Sequence, residues 1–293
     1  MRIGISDPST KEGVAEWTEL VLMVEEKSIS KEEIKSLISN AGNPAGEEIE
    51  KELGEELTDE IKANSFISDV WDELRYRNRL YGTSPPYTID DMVVSPNVKW
   101  SSRPAYMMCL LLSFFGIDQK CDGNYGKLFE RLSNEAVGIY LGGRSEVVGF
   151  PRERKITMEY IANETKERLG RDLPANFKDG GVDVFTWKPF DERPNQILLL
   201  VQAAAGKDWK HKMGEVDLHL WRDTICWACD AIKGLTTPYM LTKDELSNHS
   251  KGGLILDRPR IYISTNSAKL MDKGLDKAIR GWCKKKLKQK VNT

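Results

Sequence analysis

Apolar residues recur at helical spacing through most of the first 117 positions, which predicts a mainly helical region. Ser30 is followed three residues later by Glu33, and this capping-box pattern predicts that a helix begins there. The stretch Tyr81–Asn97 contains three prolines and predicts irregular structure. We predict helices over residues 16–26, 31–39, 47–63, 70–80 and 105–115.

From residue 118 onward, helical and strand patterns follow one another. Two β-prone runs, Val182–Trp187 and Gln196–Gln202, flank a connector rich in Pro, Asp and Asn, and this arrangement predicts a β-hairpin. The second run is apolar on both faces as far as Val201, which is typical of a central buried strand. We further predict helices over residues 127–141, 157–169, 221–232 and around 275–283, and a strand from 254 to 263.

These elements predict an α/β fold with a mixed central sheet at residues 118–293, preceded by a helical N-terminal domain at residues 1–117. The chain has 293 residues, of which 40% are hydrophobic and 30% charged, so collagen-like, disulfide-scaffold and wholly disordered proteins are excluded. Its longest apolar run, Ala105–Ile117, is too short to span a bilayer. The N-terminus lacks a basic start followed by an apolar stretch, so we expect a cytoplasmic protein without membrane contact.

Charge is distributed unevenly along the chain. Residues 1–60 contain 16 acidic and 6 basic side chains, whereas residues 269–290 contain nine basic and two acidic ones. A basic run of this kind is explained equally well by a solvated helix face and by attraction to nucleic-acid phosphates. The acidic domain would repel DNA, so we expect it to contact a protein partner or to cover the basic surface.

A polar pair is predicted at one end of the hairpin. Cross-strand partners in a symmetrical hairpin have residue numbers with a constant sum, here 385, which places Asp183 opposite Gln202. Carboxylate and amide oxygens are ligands that suit Mg²⁺ or Mn²⁺, and a metal-held water can attack a phosphodiester. Lys207, just beyond the following small-residue turn, would offset the developing negative charge. Turn capping by Asp183 and backbone hydrogen bonding by Gln202 is the purely structural alternative.

Three short motifs lie on these elements: Phe129-Glu130 on a predicted helix, Gly180-Gly181-Val182-Asp183 at the start of the hairpin, and Val201-Gln202-Ala203 at its end. Together they resemble the PD-(D/E)XK nuclease superfamily, most nearly its Mrr-like restriction endonucleases, over about residues 127–210. The resemblance implies a restriction-endonuclease-like sheet and Mg²⁺-dependent cleavage of DNA, in bacterial or phage-related defence. It also implies that Glu130 is the helix carboxylate, Asp183 the central metal ligand, and Gln202 the replacement for the second acidic ligand.

One departure from the family pattern concerns the catalytic lysine. Its usual position falls on Ala204, so the role would have to move to Lys207, or to Lys210 or Lys212 on the following helix. The same departure supports an alternative function, in which the chain is a catalytically inactive nuclease-fold module for binding or assembly.

Other kinds of chemistry find little support in the sequence. Cys226 and Cys229 lack a second pair of ligands for a structural zinc site, and their apolar neighbours favour two buried cysteines on a helix. The chain has no Gly-Xaa-Ser-Xaa-Gly motif for a serine nucleophile. It also has no phosphate-binding glycine loop that ends in Lys-Ser or Lys-Thr.

Overall fold

A computed structural model describes residues 3–40, 55–117, 123–148, 157–171, 180–266 and 272–291. The chain divides into two compact units, the first formed by residues 1–114 and 283–293 and the second by residues 115–282. Within the described ranges, no helix has both the length and the apolar character needed to cross a membrane.

The first unit is mainly helical. The predicted capping box is confirmed at the start of its second helix, where Glu33 N–H donates to Ser30 Oγ (3.2 Å) and Ser30 N–H donates to Glu33 Oε2 (2.7 Å). Three short strands form an antiparallel sheet in the order β1-β3-β2. In chain order the elements are α1 (Lys11–Glu25), β1 (Ile29–Ser30), α2 (Lys31–Asn40), α3 (Glu55–Leu80), β2 (Tyr87–Ile89), β3 (Val93–Pro96) and α4 (Pro104–Phe115).

The second unit is built on a five-stranded mixed sheet. Its strand order is β10-β9-β7-β6-β4, in which β4, β6 and β7 are antiparallel neighbours and β7, β9 and β10 are parallel. The elements are α5 (Tyr125–Leu141), β4 (Arg144–Val147), α6 (Met158–Thr165), β5 (Arg168–Leu169), β6 (Val184–Lys188), β7 (Ile197–Ala203), α7 (Trp209–Lys212), α8 (Leu218–Thr224), β8 (Ile225–Cys226), β9 (Ile232–Thr236), α9 (Lys243–His249), β10 (Leu254–Leu256) and α10 (Arg258–Thr265). A last helix, α11 (Lys273–Val291), contributes residues to both units.

The two faces of the sheet are covered differently. On one face, Phe185 of β6 stacks against Trp221 of α8 and against Trp227, with ring centroids 6.0 and 5.7 Å apart. On the other face, α5 packs against the sheet, and Ser133 Oγ lies 2.6 Å from Thr236 Oγ1 of β9. The predicted fold class is confirmed: a mixed central sheet flanked by helices follows a mainly helical unit.

Several element predictions were wrong. The stretch 81–97 contains β2 and β3, and residues 261–263 belong to helix α10 because Asp257 caps a helix whose first turn contains Pro259. The predicted helix over 221–232 ends at Thr224, and strand β9 begins at Ile232. Part of the predicted helix 47–63 lies outside the described residues, and its described part is continuous with the helix predicted at 70–80.

Candidate active site

The hairpin has the predicted register. Val184 of β6 pairs with Val201 of β7, so Asp183 and Gln202 follow as the next cross-strand position. Asp183 N–H donates to Val201 O (2.9 Å), and Asp183 Oδ2 accepts a hydrogen bond from Ala203 N–H (2.9 Å). The antiparallel ladder therefore brings the two polar residues together at the end of the sheet.

Asp183 and Gln202 also share a face of the sheet. Side chains alternate along a strand, so Asp183 faces the same way as Phe185, and Gln202 faces the same way as Leu200. Phe185 and Leu200 are cross-strand partners and both belong to the aromatic core beneath α8. The polar pair therefore extends the buried apolar face of the hairpin at the point where that core ends.

The glycine pair before Asp183 brings a further carboxylate to this end of the sheet. Gly181 has a left-handed φ of +74°, and a Cβ there would lie 2.2 Å from the carbonyl oxygen of Glu215. Only glycine permits so close an approach. Gly180 O accepts a hydrogen bond from Asp217 N–H (3.0 Å), which holds the same loop. Gln202 Nε2 lies 3.5 Å from Glu215 Oε2.

Lys212 supplies a positive charge beside these side chains. Its Nζ donates to Glu215 Oε1 (2.9 Å) and Oε2 (3.1 Å), and it lies 3.9 Å from Asp208 Oδ2. The hydrogen bond to Glu215 raises the pKa of Lys212, with further contributions from the charges of Glu215, Asp208 and Asp183 and opposition from burial. We call this set the open cluster: Asp183, Gln202, Asp208, Lys212 and Glu215.

The open cluster offers hard oxygen ligands that fit a divalent cation such as Mg²⁺ or Mn²⁺. Its three carboxylates outnumber its one ammonium, which leaves an excess of negative charge. Gln202 Oε1 is buried and has no hydrogen-bond partner in the described structure, and an unpaired buried acceptor is costly unless something binds it. Among the described residues, no group of three His, Cys, Asp or Glu side chains is arranged to hold a metal. The fit therefore depends on the amide oxygen.

Glu130 lies on the other side of the sheet. It is on α5, where its side chain is 15% exposed and forms an ion pair with Lys127 (2.8 Å). Ser133, one helical turn later, contacts Thr236, which pairs with Ala203 at the end of β7. Glu130 is thus close to the same end of the sheet as Gln202, but its helix covers the opposite face.

The lysine candidates occupy different environments. Lys207 is exposed, and Lys210 forms an ion pair with Glu245 (3.2 Å) with its ammonium 5.7 Å from the ring centroid of Trp209. Of the three positions considered from the sequence, Lys212 contacts Glu215 and is close enough to Asp183 for the charge of that carboxylate to contribute to its raised pKa. Ala204, at the family's usual lysine position, is packed in an apolar cluster.

Lys212 was one of three options in the sequence, whereas Glu215 was missed. The only sequence signal for Glu215 is the glycine pair, which indicates close approach of another segment without identifying it. The cysteine prediction was wrong, because Cys226 lies on strand β8 and Cys229 is exposed in the following loop. Two residues of a short strand and loop cannot be the buried pair on a helix.

No protein-family model and no curated protein matches the chain. Among solved structures, the MspJI restriction endonuclease in complex with a 27-mer oligonucleotide is similar at 13% identity and a TM-score of 0.34, over 68% of this chain and 39% of that one. Restriction endonuclease FokI is similar at 10% identity, with TM-scores of 0.26 alone and 0.24 bound to DNA. This chain covers 46% and 47% of those FokI chains.

Proposed function

We propose that the protein is a Mg²⁺-dependent endonuclease that hydrolyses DNA phosphodiester bonds, with a role in defence against phage. The observation that carries the proposal is the Asp183–Gln202 pair, whose buried amide oxygen has no hydrogen-bond partner among the described residues and lies beside a surplus of carboxylates. Carboxylate and amide oxygens are the ligand types that a divalent cation such as Mg²⁺ takes.

Each residue of the open cluster has a distinct task in this proposal. Asp183 and the amide oxygen of Gln202 would hold the metal, and Ala203 N–H fixes the orientation of the Asp183 carboxylate through its hydrogen bond. When bound, the ion would supply Lewis-acid assistance to phosphodiester hydrolysis. Lys212 is held protonated by its carboxylate neighbours, so it can offset negative charge that develops on the phosphate.

The charge of α11 supports DNA as the substrate. Lys284, Lys285 and Lys288 are exposed on this helix and have no ion-pair partner in the described part of the chain. Clustered lysines of this kind attract phosphates and release counterions when they bind. Duplex binding measured in EDTA should weaken when all three become Gln. An unchanged salt dependence in that variant would rule out this surface.

We also propose that the acidic N-terminal region contacts a protein partner or covers the basic surface. Glu26 and Glu32 are exposed there. If the region repels DNA, the double variant Glu26→Gln/Glu32→Gln should bind DNA more tightly than the unmodified chain. Equal affinity of the two proteins would argue against this repulsion.

Cleavage of supercoiled plasmid, linear duplex and single-stranded DNA in Mg²⁺ or Mn²⁺ tests the main proposal. We expect cleavage by the unmodified chain and at least a hundredfold loss in Asp183→Asn. Lys212→Gln should cleave DNA more slowly than Lys207→Gln, because Lys212 belongs to the open cluster and Lys207 does not. Glu130→Gln tests whether the α5 carboxylate contributes from the other face.

Absence of cleavage under all these conditions would favour the inactive binding or assembly module. The specific observation behind that alternative is Ala204, which is packed in the core at the usual position of the catalytic lysine.

A further inference from the structure

The ammonium of Lys212 lies among oxygen atoms that could also bind a metal cation. Its ammonium contacts both oxygens of Glu215, at 2.9 and 3.1 Å, and Asp208 Oδ2 lies 3.9 Å away. Gln202, whose amide oxygen has no partner in the described ranges of the chain, reaches the same Glu215 carboxylate through its Nε2. An ammonium and a divalent cation would therefore compete for the same oxygen ligands.

We propose that Glu215 is a third oxygen ligand of the metal, beside Asp183 and Gln202, and that Lys212 occupies the cation position until the metal displaces it. This inference rests on the proposed function, because it concerns the same site. It adds a ligand that the family pattern does not contain and gives Lys212 two successive positions.

Charge repulsion explains why both cations cannot stay. A divalent ion binds carboxylate oxygens at about 2.1 Å, so it would lie only a few ångströms from an ammonium that still contacted Glu215. Two positive charges at that separation repel each other at the effective dielectric of a protein surface. Metal binding therefore breaks the contact between Lys212 and Glu215.

The chain allows this exchange. The Lys212 side chain is 29% exposed. Its flexible four-carbon stem allows the ammonium to move toward solvent or a bound phosphate. The Glu215 side chain is 47% exposed, but its backbone carbonyl lies against Gly181, so the backbone cannot move away from the site. The metal would thus meet a carboxylate that is anchored at its backbone and an ammonium on a longer side chain.

A purely structural ion pair predicts a different response to mutation. If Lys212 only stabilised the loop, its loss would disturb Glu215 and weaken metal binding. If Lys212 competes with the metal, its loss removes a like charge and strengthens metal binding. The two explanations therefore differ in the sign of the effect.

The test is calorimetric titration of the full chain with Mn²⁺, without DNA, so the measurement does not depend on activity. We expect Lys212→Gln to bind Mn²⁺ about tenfold more tightly and Glu215→Gln about tenfold more weakly than the unmodified chain. Lys210→Gln is the matched control, because it removes a neighbouring lysine that pairs with Glu245 instead, and it should change affinity less than twofold.

Unchanged or weaker binding by Lys212→Gln would overturn the inference, as would unchanged binding by Glu215→Gln. Asp183→Asn separates this failure from that of the proposed function. If Asp183→Asn abolishes binding while Lys212→Gln leaves it unchanged, the metal site stands and only the exchange is wrong. If Asp183→Asn retains full affinity, or no protein binds Mn²⁺, both proposals fail.

Discussion

Two charged clusters in this chain each place a basic side chain among three carboxylates, but their environments are opposite. One lies in the first unit and is nearly closed to solvent, and we call it the closed network. The other is the open cluster of the second unit. The closed network contains Arg77, Glu16, Glu19 and Glu73, and the corresponding charged groups of the open cluster are Lys212, Asp183, Asp208 and Glu215.

The closed network satisfies its charges with protein groups. The Arg77 side chain is 3% exposed, and its planar fork serves several carboxylates at once. Fully buried Glu19 also accepts hydrogen bonds from the hydroxyls of Tyr81 (2.8 Å) and Tyr106 (2.6 Å). These neutral donors add to the compensation that Arg77 provides for the buried Glu19 charge.

In the open cluster, the charges are less completely satisfied by protein groups. Its cation is a point charge that is 29% exposed, its contact from Gln202 to Glu215 is long at 3.5 Å, and the oxygen of that amide has no partner among the described residues. Similar sets of charged side chains therefore do not imply equal roles. Burial and hydrogen-bond completeness distinguish a cluster that stabilises the fold from one that is suited to bind a ligand.

The largest expected effect separates the two cations directly. Arg77→Met would leave buried carboxylates without their cation, and we expect a loss of roughly 3–5 kcal/mol in the free energy of unfolding. Lys212→Met, the matched change in the open cluster, should cost less than about 1 kcal/mol because its ion pair is partly exposed. Urea unfolding measures both, and similar losses in the two variants would erase the distinction.

A buried carboxylate outside both clusters makes the stability of the fold depend on pH. Burial raises the pKa of Asp257, the N-cap of α10, to about 6 despite nearby Arg260 and Arg258. The folded state binds this proton more tightly than the unfolded state does. The stability that the bound proton contributes, roughly 3 kcal/mol, is therefore fully present below pH ~4 and is lost as the pH rises through about 6.

Asp257→Asn keeps a good N-cap but cannot ionise, so it should remove this part of the pH dependence. Urea unfolding at pH 4.5 and pH 7.5 gives the comparison. A variant whose stability changes between these pH values as much as that of the unmodified chain would contradict the assignment.

The position of Glu215 depends on a glycine, which gives a third prediction. Gly181→Ala places a Cβ 2.2 Å from the Glu215 carbonyl oxygen at a positive φ, so we expect a loss of about 2 kcal/mol and weaker Mn²⁺ binding. Gly214→Ala is the matched control, since a Cβ there meets nothing within 4 Å and should change neither quantity. Normal Mn²⁺ affinity in Gly181→Ala would show that the Glu215 backbone need not stay in place.

The sequence predicted the parts of the site that local rules determine. The connector of the hairpin is symmetrical, so its register placed Asp183 opposite Gln202, and the apolar run before Gln202 marked β7 as central. Glu215 could not be predicted, because it reaches the site through the long-range contact of its backbone with Gly181. No periodicity in the sequence encodes such a contact.

The same distinction explains why strand β9 was not predicted. β9 reads Ile232-Lys233-Gly234-Leu235-Thr236, and an interior glycine weakens any local strand signal. A Cβ on Gly234 would lie 2.8 Å from Val201 Cγ2 on the neighbouring strand, so a larger residue would force a shift there. Close strand packing, which is a tertiary feature, thus favours a residue that weakens the local strand pattern.

The smallest expected effect tests whether a metal ion binds at the open cluster and not at the closed network. A ligand that binds only the folded state stabilises it, and Mg²⁺ at tenfold its dissociation constant should add about 1.4 kcal/mol to the free energy of unfolding. Asp183→Asn should abolish this increment. Glu73→Gln, which changes the closed network, should lower the stability without changing the increment, because the Glu73 carboxylate is already paired with the buried Arg77 side chain. Urea unfolding with and without Mg²⁺, at constant ionic strength, measures all three proteins. If Asp183→Asn keeps the increment, the metal binds elsewhere; if Glu73→Gln loses it, the closed network contributes to binding and the contrast between the two clusters is wrong.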